Sequence, residues 1–115
     1  MSESLKILAQ EKRVTVVEIS GRSHPGVVIQ GDSLVILYGS VKTTLEMLNN
    51  LKPKTPHLEE TILELNSVRD TLLEQLAVLE AVMEALGMVL PYSWSARTDL
   101  KNLKLETQNQ EGETR

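Results

Sequence analysis

The sequence predicts an α+β chain: a small antiparallel sheet of about three strands followed by two helices, the second long and oligomer-forming. Three observations predict it. β-branched residues concentrate in two short runs, 14–19 and 27–29, each bounded by polar or turn-forming residues. From Leu34 onward apolar residues recur at three- and four-residue spacings, the period of a helix face. Pro53 and Pro56, then Gly87, divide that periodic stretch where a helix cannot continue.

The elements follow in order. Leu5, Ile7 and Ala9 alternate with Lys6, Leu8 and Gln10, giving a first, weak strand, and Glu11-Lys12-Arg13 is a polar turn. Residues 14–19 form the second strand, 20–26 a loop and 27–30 the third strand. Gly31 then turns the chain, since glycine adopts positive φ without steric penalty, and Asp32 or Ser33 caps the next helix. That helix covers 34–49, with Leu34, Leu37, Tyr38, Val41, Leu45 and Leu48 on one side. Gly39 inside it either weakens it by about 1 kcal/mol or marks a close contact.

The second helix covers 57–86, with Gly87 as its stop. At 1.5 Å per residue it is roughly 45 Å long. Leu58, Ile62, Leu65, Leu72, Leu76, Leu79, Met83 and Leu86 form one stripe. Leu63, Leu73, Ala77, Val78 and Val82 form another, and acidic residues, Glu80 among them, take the remaining surface. Such a helix outreaches the small sheet, so Leu65, Leu72, Leu76, Leu79 and Met83 are expected to form an interface between copies, most simply a two-fold dimer and on a larger scale a hexamer. Residues 1–106 read as a single domain. From Thr107 the chain is polar without periodicity, so 107–115 read as a disordered tail.

Composition narrows the function classes. The net charge of −4 over 115 residues argues against DNA or RNA as a partner. Residues 1–54 carry seven Lys/Arg against five Asp/Glu, and 55–115 carry five against eleven. No cysteine is present, which excludes disulfides and thiolate metal sites, and two isolated histidines make a zinc site improbable. No metal or cofactor is expected. No leader-like apolar stretch or membrane-length run occurs, so a cytoplasmic protein without membrane association is the expectation. Nucleophile elbows, P-loops and paired metal ligands are lacking. His24 with Asp32 or Ser33 is the sole conceivable acid–base set, and a loop histidine before proline is a poor base candidate. The chain is therefore read as a binder rather than an enzyme.

The densest polar chemistry lies between Arg22 and Leu34. A strand turning into a helix start presents backbone N–H groups to an anion. Arg22, His24, Gln30, Gly31, Asp32 and Ser33 are candidate ligand residues there. Downstream, Tyr92 and Trp94 are candidate stacking faces and Arg97 a phosphate partner. For Trp94 and Arg97 a packing role and a solvated role stand as equal alternatives.

The run Arg22-x-His24-Pro25-Gly26-Val27-Val28-Ile29-Gln30-Gly31-Asp32-Ser33-Leu34, with the later Leu90-Pro91-Tyr92 step, resembles the signature of a family of small phage and bacterial proteins. The best-known group is the first described anti-Thoeris family. The resemblance implies a phage-encoded, non-catalytic sponge acting in the host cytoplasm. It would sequester a cyclic ADP-ribose isomer made by TIR-domain enzymes and so block effector activation. It also implies ribose contacts from Gln30, Asp32 and Asp99, assembly into oligomers, and in some members a second site for cyclic di- or trinucleotides. His24 stands where the family carries an aromatic or hydrophobic residue about as often. The rival expectation is a protein-interaction module, of immunity or antitoxin type, docking through the acidic second helix.

Overall fold

A computed structural model describes residues 5–12 and 14–113. Three strands, β1 (Lys6–Glu11), β2 (Val14–Glu18) and β3 (Gly26–Val28), precede three helices, α1 (Gly31–Asn49), α2 (Pro56–Ala85) and α3 (Ala96–Glu113). The sheet is antiparallel in the order β1-β2-β3, as the β-branched runs predict. Glu11 pairs with Val14 across a two-residue turn, and Lys12 takes the left-handed φ of 48° that such tight turns use. Arg13 of that turn lies outside the described residues, as do residues 1–4 and the last two residues of the expected tail.

The core is helical. Leu34, Tyr38, Val41 and Leu45 of α1 pack with Leu72, Leu73 and Leu76 of α2 and with Ala96 at the start of α3. Among the described residues the sheet packs on none of the three helices. No helix of the described residues is long and apolar enough to cross a membrane.

Local signals explain the boundaries of α2. Thr55 Oγ1 accepts a hydrogen bond from Leu58 N at 3.1 Å, and Pro56 follows at a position where its missing N–H matters least. At the other end Gly87 has φ +70°, while Met88 N donates to Met83 O and Gly87 N to Glu84 O. This paired closure is what a glycine at that position makes possible. Lys54 Nζ donates to the carbonyls of Leu48 and Asn49 at the end of α1, adding a cation where the helix dipole is negative.

Several expectations are corrected. Helix α1 begins at Gly31 with Gln30 at the cap position and no side-chain cap bond. Asp32 Oδ1 instead accepts from its neighbour Ser33 N at 2.8 Å. Positive φ among the glycines belongs to Gly21 and Gly87, so Gly31 has a different reason to be small. A Cβ there would lie 2.7 Å from Leu79 Cδ2, and its absence lets α1 approach α2. Leu72 and Leu76 are buried against their own chain, so they are not open to a second copy. Leu65 and Leu79 also pack, half-buried, against that core, and Met83 is half-buried. The apolar positions α2 leaves exposed include Leu63, Val78, Val82 and Leu86.

A third helix follows where two were expected, and its helical backbone continues past Thr107 to Glu113. Glu80, read as a surface acid, is wholly buried.

Gly39 lies inside α1 with no atom within 4 Å of the place a Cβ would occupy, so a packing role is excluded. Gly39→Ala should therefore stabilise the protein by about 1 kcal/mol. A urea midpoint raised at unchanged m-value is the expected result.

Candidate functional site

The residues expected to form one ligand site fall in four places. The first is an open cleft of about 920 Å³ between the β1–β2 hairpin and the start of α1. Gln30, Asp32 and Ser33 line it on the helix side and Gln10, Glu11, Lys12 and Thr15 on the hairpin side. Val27, Val28, Ile29 and Ile36 supply apolar walls. The extended backbone of Gln30 enters the helix directly, and the first backbone N–H groups of α1 have no side-chain cap from Gln30. Such N–H groups and the positive end of the helix dipole favour an anion and Lys12 adds a cation on the opposite wall, while Asp32 Oδ1 already takes Ser33 N and the Glu11 and Asp32 carboxylates share the cleft.

Arg22 and His24 lie elsewhere, with Ile19 and Ser23, around a shallow hollow of about 450 Å³ on the β2–β3 loop. Gly21, with φ +80°, makes the turn, and Arg22 N donates to Ile19 O at 3.1 Å. Ser23 Oγ is 3.0 Å from His24 Nδ1. This serine–histidine contact is exposed, and among the described residues no carboxylate is bonded to the imidazole.

Tyr92, Trp94 and Arg97 are gathered around Glu80. Both oxygens of its buried carboxylate are saturated. Oε2 accepts from Tyr92 OH at 2.8 Å and from Ala96 N at 2.7 Å. Oε1 accepts from Ser95 Oγ at 2.7 Å, from Arg97 Nε at 2.9 Å and, more weakly, from Arg97 N at 3.4 Å. The carboxylate thus serves as the anion at the start of α3, completed by Ser95 Oγ, which accepts from Thr98 N. Arg97 also pairs with Glu84.

Desolvation pushes the Glu80 carboxyl up, but the bonds from Ser95, Arg97, Ala96 and Tyr92 outweigh it and hold the group down at about 2. Burial, then the bond to Glu80 and its charge, push the Tyr92 phenol well above its ordinary value. Bonds to Glu80 and Glu84 raise the Arg97 guanidinium.

The aromatic rings complete this assembly. Tyr92 stacks on Trp94 with centroids 4.2 Å apart, and Trp94 meets Tyr38 of the core at 5.3 Å. The packing alternative for Trp94 therefore describes its place, and Arg97 is committed to two glutamates rather than solvated.

Asp99 stands in a fourth place, a groove of about 280 Å³ with Tyr38, Lys42, Arg69 and Asn102. Burial first, and then Asp99, raise the Tyr38 phenol there. Among the described residues no group of three or more histidine or acidic side chains gathers to hold a metal ion.

Sequence reasoning named Gln30, Asp32 and Ser33 on the helix side of the cleft, but not Gln10, Glu11, Lys12 or Thr15 on the hairpin side, and it missed Glu80. Its signal was present: Leu73, Leu76 and Glu80 fall at three- and four-residue spacings, so Glu80 continues the buried face rather than the exposed one.

A family model described as a family of unknown function (DUF6959) matches residues 1–92, which include the sheet, α1, α2 and Tyr92 but stop short of α3. No curated protein and no solved structure matches the chain.

Proposed function

We propose that the chain, which belongs to the DUF6959 family, is a non-catalytic binding protein that holds a small phosphate-bearing nucleotide signal and withholds it from a receptor. The cleft beside the start of α1 carries this reading, because it joins three of the expected ligand residues to an anion-favouring helix end, a lysine and apolar walls. The helix N–H groups and Lys12 would meet phosphate, and Gln10, Gln30 and Asp32 would meet ribose hydroxyls or base edges. Val27, Val28 and Ile36 would receive the base. The resemblance of the 22–34 run to anti-Thoeris sponges supplies the ligand class, a cyclic ADP-ribose isomer. The site proposed here omits Tyr92, Trp94 and Arg97, whose groups are engaged around Glu80.

Thermal-shift and calorimetric titration against cyclic ADP-ribose isomers, and then cyclic di- and trinucleotides, tests the reading. At a ligand excess of about a thousandfold over Kd, stability should rise by about 4 kcal/mol. The ligand should return intact after heat release. Lys12→Ala should weaken binding about tenfold or more, as loss of a charge-assisted phosphate contact does. No response across the panel would remove the proposal. One observation favours a second reading, a protein-interaction module: Leu63, Val78 and Val82 lie exposed along an α2 surface rich in glutamate.

A further inference from the structure

Among the described residues the sheet is left bare by its own chain: it packs on no helix, and of its strand residues Val17 alone is buried. Val16 pairs with Ala9 on one side and Val27 on the other, so these three share a face with Val14. Val27 is 68 % exposed and Val14 46 %. A small sheet gains stability in water when an apolar face is packed against a partner surface. The molecule is correspondingly extended, 50 Å long with a radius of gyration of 17.7 Å, where a compact chain of about this size would have roughly 13 Å.

A second apolar surface lies on α2, where Val78, Val82 and Leu86 follow at four-residue spacing and are all exposed. The charges around the two surfaces are opposite in balance. Lys6, Lys12 and Arg22 outnumber Glu11 and Glu18 at the sheet, while Glu74 lies one turn before Val78 and Glu59, Glu60 and Glu64 lie exposed nearer the start of α2. Among the described residues none of these nine has an ion-pair partner within the chain.

We propose that the sheet face bearing Val14, Val16 and Val27 docks on the exposed Val78–Val82–Leu86 side of α2 in a second copy, with the same contact made in return. One chain carries both complementary surfaces, so a two-fold pair covers both at once, and the cations of each hairpin meet the glutamates of the other α2. Val14, Val27 and Lys12 also line the cleft of the ligand reading, so pairing and a bound nucleotide compete for that surface, and the pairing is tested without ligand.

Sedimentation or light scattering of the full chain should give twice the chain mass, with dissociation promoted by high salt. Val27→Glu and Val82→Glu should each abolish the dimer, whether the freed chain stays folded or not. An equimolar mixture of the two variants should recover a dimer, because one of its two contacts is then free of either substitution. Recovery on mixing supports the proposal. A monomeric wild type, a dimer that survives either substitution, or a mixture that gives no dimer overturns it. Pairing of sheet with sheet, or of α2 with α2, would produce one of those last two outcomes.

Discussion

Replacing Glu80 with leucine is expected to destabilise the protein by about 2–5 kcal/mol, because buried donors left without their acceptor cost about 1–3 kcal/mol each. The side chain is fully buried and receives bonds from Tyr92, Ser95, Ala96 and Arg97. Leucine fills much of the volume but leaves Ser95 Oγ and the Ala96 N–H facing hydrocarbon. Glu80→Gln keeps the shape yet places an amide NH₂ against donors, so a smaller loss is expected. Urea denaturation measures both, and far-UV circular dichroism should report loss of α3 helicity in the leucine variant. The same group sets an acid limit. Its folded carboxyl titrates at about 2 against an ordinary 4.5, so the stabilisation is complete above about pH 4.5 and gone by about pH 2. That fall corresponds to about 3 kcal/mol. Stability of the wild type should therefore decline as pH drops through that window, and Glu80→Gln should remove this part of the decline. Parallel pH profiles for the two proteins would refute the role given to Glu80.

The pattern of what the sequence disclosed follows the range of the interactions. The strands, α1 and α2 rest on local signals: β-branched runs, three- and four-residue apolar spacing, Thr55-Pro56 at a helix start and Gly87 at its end. Helix α3 has few apolar residues to give it a period, and what fixes its start is a carboxylate sixteen residues upstream of Ala96. The local part of that signal, Ser95 capping Thr98 N with Asp99 in the first turn, was legible. The distant part was not, because a glutamate in an acid-rich helix reads as surface. For the candidate site, Gln30, Asp32 and Ser33 stay together because they are neighbours in sequence. Tyr92, Trp94 and Arg97 depart from them because Glu80 and the Tyr38 ring engage the same groups that a ligand would. Donors suited to a phosphate are equally suited to a buried carboxylate, and residue types alone do not separate the two.

Leu76→Asp is expected to unfold the chain. A surface between copies was the sequence-based expectation for this position, but Leu76 has no exposed area and belongs to the cluster formed by α1, α2 and Ala96. Truncation of such a leucine alone costs about 2–5 kcal/mol. An unpartnered carboxyl in its place adds a desolvation penalty of about 2 kcal/mol or more. Together these approach the whole stability of an ordinary domain, about 5–15 kcal/mol. The control is Val78→Asp on the same helix, two positions on, where the side chain is two-thirds exposed. It should leave cooperative unfolding and helix content intact while lowering the mass in solution, since it puts a charge on the face proposed to receive a partner's sheet. The pair of variants separates packing within the chain from packing between chains. If Leu76→Asp remained folded and changed the mass alone, Leu76 would face a partner, and the placement of α2 against α1 would have to be revised.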